Sequence, residues 1–378
     1  PWRFDSSRAH TQGFGKQLLF QSLFKFHDMK MNIPLLKNLC ETPGTSGFES
    51  QIRDVIEKEI KPYCDEISID NMGNLIALVR SKKSVATQKI MLAAHMDEIG
   101  FMVTHIDDNG FIRFHTLGGF DPKTLTAQRV VIHGQKAIIG VMGSKPIHLM
   151  KPEERNKVVQ IEDFFIDTGM SGTEVKKIIA VGDPITRERE LIEMGNCINC
   201  KSLDNRISVY VLIEVLKQLK KPQIDVYAVF TVQEEVGLRG AQVASHHIDP
   251  DYGLAIDTTI AFDLPGAQAH EQITSLGSGP AIKIMDASTI CDPRMVKYLK
   301  QTATDAEIKW QPEVLTAGGT DTAGLQRTGK HGAIAGAVSI PTRHLHQVIE
   351  MVHQEDVLNA ILLINQFIEK ITSFNWKR

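Results

Sequence analysis

The sequence predicts an α/β fold in which a mixed sheet carries helices on both faces and a small β-barrel or sandwich is inserted into the chain. After residue 204, short apolar runs typical of buried strands alternate with segments of helical periodicity. Between residues 101 and 194, helical periodicity nearly disappears and short β-rich runs dominate. We therefore predict a main domain formed by residues 31–100 and 195–378, with a β domain inserted at 101–194.

Apolar patterning predicts the elements of the main domain. Ser46 and Glu49 have the spacing of a capping box, which predicts a helix. The buried face of that helix would carry Phe48, Ile52, Val55, Ile56 and Ile60. An amphipathic run over 356–371 predicts the last helix. Strands are predicted at 74–79, 90–94, 224–230, 252–256 and 332–340, the last of them ending before Pro341.

The inserted segment begins with a predicted hairpin. Two apolar runs, 101–106 and 111–114, flank Asp107-Asp-Asn-Gly110, a turn sequence typical of hairpins. Further strands are predicted at 130–132 and 137–142, and a helical segment at 173–179.

Composition excludes several classes of function. A formal net charge of -3, with no basic stripe, argues against a nucleic-acid partner. No apolar run reaches the roughly 18 residues that a membrane span needs, so no membrane partner is predicted. Hydrophobic residues make up 42% of the chain and charged residues 23%, which is typical of a soluble globular protein with a large core.

The five cysteines are few, odd in number and scattered, which favours a reducing compartment and therefore a cytoplasmic location. Cys197 and Cys200 have the C-x-x-C spacing of redox and zinc sites. No second such pair and no histidine pair follows at a suitable spacing, so a structural role is favoured. A local disulfide or metal site stays open as an alternative.

Residues 1–30 are predicted to be an extension that is not part of the fold. The apolar stretch at 18–24 is interrupted by Gln21 and Ser22, and no small-residue cleavage site follows it. Because that pattern makes a poor secretory signal, we expect an extension rather than a targeting segment.

Two adjacent carboxylates, Glu234 and Glu235, follow the predicted strand at 224–230. Carboxylates at the end of a buried strand repel each other and lose solvation, so a positive charge is expected beside them. A solvated pair in a loop is the commoner explanation for any single dipeptide of this kind. The other strand ends decide between the two interpretations.

The other strand ends carry side chains that can bind a metal ion. His95 and Asp97 follow one predicted strand, and Asp257 follows another. Asp204 stands where a helix begins, and His346 follows the loop after the last strand. Each has an ordinary explanation when taken alone, such as a helix cap for Asp204. Together they place imidazoles and carboxylates at the strand ends of one sheet, which is the ligand set of zinc or a similar divalent ion.

Six motifs resemble, in order, those of one enzyme family. They are Ala94-His-Met-Asp-Glu-Ile-Gly100, Leu203-Asp-Asn-Arg206, Val232-Gln-Glu-Glu-Val-Gly-Leu-Arg-Gly-Ala241, Ala255-Ile-Asp257, Gly318-Gly-Thr-Asp321 and Arg343-His-Leu-His346. From about residue 32 to residue 372 the chain resembles the glutamyl aminopeptidase/TET family of dinuclear metallo-aminopeptidases. Some relatives of that family have been labelled endoglucanases.

The resemblance implies two divalent metal ions, zinc first, with cobalt or manganese as alternatives. Asp204 would bridge the two ions. His95 and Asp257 would complete one metal site, and Glu235 and His346 would complete the other.

The same resemblance implies a mixed-sheet zinc-peptidase domain and a role for each remaining residue. Glu234 would be the general base, and Asp97 would orient His95. The substrates would be short peptides that lose their N-terminal residue. The inserted β domain would serve oligomerisation, as dimers that can build a dodecamer. Arg206 and Arg239 are expected to be framework residues in salt bridges.

The chain departs from the family pattern near the last histidine. The family commonly has an aromatic residue two positions before that histidine and a serine after it, where this chain has His344 and Gln347. His344 could itself be a ligand, so the assignment of His346 rests on its spacing from Arg343. Relatives that prefer glutamate would be expected to place a basic residue near the substrate pocket. The segment 316–317 offers none, so no strict acidic preference is expected.

Two alternatives to the aminopeptidase remain. An endo-1,4-β-glucanase would need two carboxylates that flank a sugar cleft, usually with aromatic platforms. The chain has only three Trp and five Tyr, and none of its tryptophans is near the motifs. A non-catalytic assembly protein would be expected to lack a ligand or the base, whereas this chain keeps each of them.

Overall fold

The computed structural model of the protein describes residues 30–82 and 88–377. The predicted extension, residues 1–30, lies outside the described residues except for Lys30. Within the described part of the chain, no helix is both long and apolar enough to cross a membrane.

The strands are named β1 to β17 in chain order. They are β1 (Glu66–Ile69), β2 (Leu75–Val79), β3 (Lys89–His95), β4 (Gly100–Ile106), β5 (Ile112–Leu117), β6 (Arg129–His133), β7 (Ala137–Gly143), β8 (Phe165–Asp167), β9 (Pro184–Arg187), β10 (Ile192–Met194), β11 (Cys197–Cys200), β12 (Asp225–Thr231), β13 (Tyr252–Ile260), β14 (Ala281–Met285), β15 (Gln311–Val314), β16 (Ile334–Arg343) and β17 (Glu350–His353).

The α-helices are named in the same way. They are α1 (Ile33–Glu41), α2 (Ser50–Ile60), α3 (Pro152–Arg155), α4 (Gly172–Val175), α5 (Leu203–Gln218), α6 (Arg239–Ile248), α7 (Pro293–Asp305), α8 (Thr322–Arg327) and α9 (Gln354–Lys370). The helical segment predicted at 173–179 is the single turn α4, followed by hydrogen-bonded turns up to Asp183.

Eleven strands form one mixed sheet, in which β12, β3, β13 and β16 are consecutive and parallel. The order along the sheet is β1-β2-β12-β3-β13-β16-β17-β11-β10, and β14 joins β16 while β15 pairs with β14. Parallel strands bring their carboxyl ends to the same edge, and ligands of such sheets bind there. The fold therefore collects the polar ends of β3, β12 and β13 at one place.

Helices cover both faces of this sheet, as predicted. The larger core packs α1, α2, α5, α7 and α9 on one face. A smaller core, which includes Ala244 and Leu325, packs α6 and α8 on the other. Helix α5 is buried on nearly every side because it lies between the sheet and the helices α1, α2 and α9.

Six strands close into a separate antiparallel barrel, in the order β4-β5-β8-β7-β6-β9. Side chains such as Phe101, Ile132 and Ile185 fill the barrel and form their own core. The alternation of buried and exposed residues along β5 and β7 is typical of such walls. Strand β10, although close in sequence, pairs in the large sheet. The division of labour between a catalytic domain and an assembly domain stays a prediction.

The capping box predicted at Ser46 and Glu49 is wrong. Helix α2 begins after both residues, and no side chain caps it. Ser46 Oγ instead donates a hydrogen bond of 2.6 Å to Asp97 Oδ2. Phe48 therefore lies outside the helix and is 38% exposed, rather than part of its buried face. A distant polar group competes for the side chain that the local spacing assigned to the helix.

Strand β16 continues through Pro341, whereas the sequence predicted its end before that residue. Proline is tolerated in a strand where a neighbouring strand is missing on one side. Strand β14 pairs with β16 only at Val338 and Ser339, and β17 joins it from Thr342 onward. Pro341 falls in the gap between these two partners.

All five cysteines are free thiols. Cys197 and Cys200 belong to strand β11, where residues three apart point to opposite faces. That geometry disfavours a local disulfide and a shared metal ion. The structural interpretation of the C-x-x-C spacing is therefore retained.

A substitution that creates a cavity in the main core tests the packing. Leu92 on β3 is fully buried, so Leu92→Ala should lower the free energy of unfolding by about 2–5 kcal/mol. Urea denaturation of both proteins measures the difference. Val181→Ala is the control, because Val181 is 67% exposed and its loss should change stability by less than about 0.5 kcal/mol. Equal effects of the two substitutions would contradict the described core.

Candidate metal centre and active site

Strand register brings three chain segments to the same level of the sheet. His95 at the end of β3 lies opposite Thr231 at the end of β12. Ala255 on β13 lies opposite Ala93, so Asp257 stands level with His95 two residues further on. The loop after β12 then carries the carboxylates predicted to lie at this edge.

Two groups of potential ligands share Asp204. In the first, His95 Nε2 lies 3.3 Å from Asp204 Oδ1 and 3.6 Å from Asp257 Oδ1. In the second, His346 Nε2 lies 3.2 Å from Asp204 Oδ2 and 3.5 Å from Glu235 Oε2. Within each group the ligand atoms all lie within 4.8 Å of one another. Asp204 thus turns one carboxylate oxygen toward each group.

These spacings fit metal coordination better than direct hydrogen bonding. Most of the distances exceed the 2.7–3.2 Å expected of a hydrogen bond from an imidazole. Ligand atoms about 2.0 Å from a tetrahedral zinc ion are about 3.3 Å apart. Imidazole nitrogen and carboxylate oxygen are also donors that zinc and related divalent ions accept. The residues present therefore fit two neighbouring divalent ions.

The electrostatics of the site reflect its crowded carboxylates. Burial raises the pKa of Glu235 to about 8, and it raises that of Glu234 well above its usual range. Burial lowers the pKa of His346, but Glu235 and Asp204 outweigh it and raise the pKa to about 10. Burial disfavours ionised Asp204, yet the close imidazoles of His346 and His95 leave its pKa lowered. Carboxylates outnumber imidazoles here, so the site favours the binding of positive charge.

Asp97 holds His95 and the glutamate pair together. Its Oδ1 lies 3.4 Å from His95 Nδ1, and its own carbonyl oxygen lies 3.2 Å from the same nitrogen. Its two carboxylate oxygens accept hydrogen bonds from the backbone N–H groups of Glu234, at 3.0 Å, and Glu235, at 3.2 Å. Asp97 is fully buried, and Ser46 supplies its remaining donor. One carboxylate therefore fixes three of the residues predicted for the site.

A buried ionic network joins the His95 loop to the segment before Asp204. Glu98 is fully buried and accepts hydrogen bonds from Lys201 Nζ, at 2.7 Å, and from Ser202 Oγ. Arg206 lies 3.8 Å from the other oxygen of Glu98. Its Nε donates to the carbonyl of Met96 at 2.8 Å, which agrees with the predicted framework role. Arg239 is exposed and its side chain donates to Gln233; among the described residues it forms no ion pair, unlike the prediction.

Asp204 is not a helix cap. Asp204 and Asn205 have non-helical dihedral angles at the start of α5, and the peptide bond between them is cis. The backbone N–H of Asp204 donates to Glu350 Oε2 at 2.9 Å. Glu350 is fully buried at the start of β17, and its role was not predicted, because nothing local distinguishes it from an ordinary strand residue.

Left-handed backbone conformations occur beside the potential ligands. Ser202 has φ 59°, Gln233 has φ 53° and His346 has φ 61°. Such conformations cost on the order of 1–3 kcal/mol for a residue other than glycine, and they tend to occur where function fixes a side chain. His346 is further oriented by the carbonyl oxygen of Gly119, which lies 3.0 Å from Nδ1. Gly119 belongs to the segment between β5 and β6 of the barrel. His344 joins neither ligand group among the described residues.

The ligand groups line a cavity of about 580 Å³. Its lining also includes Leu238, Ile260 and Leu315 together with a buried lysine, Lys283, which the sequence did not predict. A basic residue does therefore line the pocket, although segment 316–317 has none. Strand β14 delivers this lysine from outside the motifs.

Lys283 is already neutralised by carboxylates. Its Nζ forms an ion pair with Glu313 and lies 3.5 Å from Asp286 Oδ2. The three side chains are each at most 2% exposed. A substrate carboxylate would therefore compete with two fixed carboxylates for one ammonium group.

Comparison with known proteins decides the family. The sequence model of the M42 glutamyl aminopeptidases matches residues 73–363. The chain belongs to this family. A putative aminopeptidase of Acetivibrio thermocellus is 40% identical over 87% of the chain and 96% of the relative. The lysyl aminopeptidase of Pyrococcus furiosus is 34% identical over 89% of the chain and 96% of the relative. The resemblance to the glutamyl aminopeptidase/TET family that the sequence motifs indicated is thus confirmed.

Solved structures agree with this membership. An aminopeptidase of the archaeon Desulfurococcus kamchatkensis superposes with a TM-score of 0.86 at 41% identity, over 89% of this chain and 94% of its own. The TET1 peptidase of Pyrococcus horikoshii, described as assembling into a tetrahedron or a large octahedral shell, gives 0.79 at 32%, over 89% and 98%. A protein of Thermotoga maritima described as an endoglucanase gives 0.73 at 31%, over 89% and 96%.

Metal-free protein should lose stability as the pH rises from about 5 to 10. Glu235 and His346 have folded-state pKa values of about 8 and about 10, above their ordinary values of 4.5 and 6.5. Over this pH range the folded state therefore binds more protons at these two groups than the unfolded state does. Each contribution is complete below the ordinary pKa and is lost as the pH rises through the folded-state pKa.

Thermal unfolding of chelator-treated protein at pH 6, 8 and 10 measures this loss. His346→Gln should flatten the decline of the thermal midpoint between pH 8 and 10, because it removes a group whose folded-state pKa of about 10 makes it titrate in this range. A midpoint that stays constant or rises over this range would contradict the described electrostatics.

Proposed function

We propose that the protein is a metal-dependent aminopeptidase that removes N-terminal residues from short peptides. The observation that supports this most is the pair of ligand groups that share Asp204 at the carboxyl edge of the sheet. The first ion would be held by His95 and Asp257, and the second by Glu235 and His346. Zinc is the proposed metal, with cobalt or manganese as alternatives.

Glu234 is the proposed general base. Its Oε2 lies 3.8 Å from His95 Nε2, but it belongs to neither ligand group. Burial raises its pKa, which favours proton acceptance near neutral pH. When bound, two divalent ions would activate a shared water and polarise the scissile carbonyl. Glu234 would take a proton from the attacking water and deliver it to the leaving amine, while Asp97 keeps His95 in position.

The cavity suits a free N-terminus and a side chain that is not acidic. The carboxylates of the ligand groups attract the α-amino group of a peptide. The apolar wall formed by Leu238, Ile260 and Leu315 accommodates neutral side chains. Because Lys283 is already paired with Glu313 and Asp286, we propose no strict preference for acidic residues.

A glucanase activity is not favoured, although one similar structure is described as an endoglucanase. No phenylalanine, tyrosine or tryptophan lines this cavity among the described residues, so it lacks a platform for sugar rings. The shared aspartate and the two histidines also have no role in glycoside hydrolysis.

The barrel is the proposed assembly surface, in dimers that could build a dodecamer. Its β7 strand exposes Ile139 and Val141, and the following segment exposes Ile147 and Leu149. Apolar side chains grouped in this way indicate a contact with another protein surface. The TET1 peptidase of similar fold is described as a large shell. A cytoplasmic location is proposed from the five free thiols.

A substrate panel tests the proposed activity. The purified protein is assayed on aminoacyl chromogenic amides, on their N-acetylated forms and on carboxymethyl-cellulose, before and after chelation. We expect activity on free-amine substrates only, its loss on chelation, and its return with zinc or cobalt. Leucyl amides should be hydrolysed faster than glutamyl amides. Hydrolysis of cellulose with inert amides would overturn the proposal.

Paired substitutions separate the base from the ligand. Glu234→Gln should lower kcat by about 10²–10⁴-fold while two metal ions stay bound, because it removes only the proton acceptor. Glu235→Gln should lower the metal content as well, since it removes a ligand. Activity and metal content by mass spectrometry are measured on the same samples. Equal metal loss in both variants would refute the separate roles.

A further inference from the structure

Arg187 is a buried arginine whose side chain has no hydrogen-bond partner in the described part of the chain. It is the last residue of β9 in the barrel and is only 3% exposed. No group of the described chain accepts a hydrogen bond from its Nε, Nη1 or Nη2 atoms. A guanidinium always carries its charge, so a buried one needs an acceptor or a counter-charge nearby. The proposed chemistry assigns this residue no role.

The guanidinium faces the loop that carries His346. It lies over the ring of Phe120, at 5.8 Å from the ring centre. It lines a small cavity together with His346, Gln347 and Val348. The cavity has a volume of only about 10 Å³, so these side chains nearly fill the space between them. The barrel and the main domain meet at this cavity.

Glu350 is the natural counter-charge for Arg187. Among the charges around Glu350, that of Arg187 most favours the ionised carboxylate. Glu350 Oε1 also lacks a hydrogen-bond partner, so the two groups do not bond directly. The second oxygen, Oε2, accepts the backbone N–H of Asp204. The carboxylate of Glu350 thus interacts with the charge of Arg187 and also holds Asp204, which both ligand groups share.

We propose that Arg187 is a positioning residue for the second metal ion, acting on Glu350 through its buried positive charge. That charge would hold Glu350 in place, and Glu350 would hold Asp204 where it faces His346. This inference rests on the proposed dinuclear centre. It makes the barrel part of the metal site, since Gly119 from the same barrel already orients His346.

Cobalt titration tests the proposal on the full-length protein. Chelated wild-type, Arg187→Met, Arg187→Lys and Arg129→Met proteins are titrated with Co²⁺ and followed by visible absorption and calorimetry. Arg129 is the matched control, because it lies on the neighbouring strand β6, its side chain is 58% exposed, and it pairs with Glu188 at the surface. Its loss removes one barrel arginine without touching the cavity.

We expect Arg187→Met to lower the affinity for the second cobalt ion, the one at Glu235 and His346, by roughly 10–100-fold. The affinity for the first ion should stay within about twofold of the wild-type value. Arg187→Lys should recover part of the affinity, because it keeps the charge but not the fork. Glu350→Gln should weaken the same ion, and the double variant should add little to it. If Arg187 served folding alone, its loss would lower the thermal midpoint of the metal-free protein and would lower the affinity for both ions equally. That result would contradict the proposal.

Unchanged second-ion affinity in Arg187→Met would overturn the Arg187 proposal and leave the dinuclear centre standing. Additive effects of Arg187→Met and Glu350→Gln would overturn it as well. Wild-type protein that binds fewer than two cobalt ions would overturn the proposed function itself. If Arg187→Met does not fold, the Arg187→Lys and Glu350→Gln titrations decide, and an unaltered second step in both would refute the proposal.

Discussion

Negative charge concentrated in a buried place is the constraint on which the rest of this structure depends. Asp204, Glu234, Glu235 and Asp257 converge at one edge of the sheet, where their side chains are largely buried. Carboxylates held this close repel one another, and burial adds the loss of hydration. The imidazoles of two histidines and a pair of divalent ions are the charges that can balance them. The centre would be expected to relax if nothing held its loops.

Two kinds of support hold the loops in place. Parallel strands fix His95 and Asp257, because the hydrogen-bonded register leaves these residues no freedom along the sheet. Asp204, Glu234 and Glu235 lie outside the strands, and buried carboxylates accept hydrogen bonds from their backbone N–H groups. Asp97 does so for the glutamate pair and Glu350 for Asp204. The acidic centre is therefore positioned largely by further acids, each satisfied by its own donors. Support of this kind keeps a site close to its working geometry before a ligand arrives.

The sequence predicted the parts of the molecule that local patterns encode. Apolar runs and their polar ends located the central strands, and the loss of helical periodicity located the barrel. The order of six motifs then singled out the residues that the structure brings together. The remaining parts depend on contacts between distant positions. Lys283, Glu350 and Arg187 look like ordinary strand residues until the fold is known, and Ser46 bonds to a residue 51 positions away instead of capping a helix.

The contact between the Gly119 carbonyl and His346 has a consequence for how far this chain is modular. An inserted unit whose loops stay clear of the chemistry can be exchanged for another as an independent part. Here the exchanged part would take with it one of the groups that hold the last histidine. A chimera carrying a foreign barrel would change the proposed assembly surface and, at the same time, the geometry of the His346 imidazole. Quaternary structure and metal chemistry are therefore expected to change together in this chain.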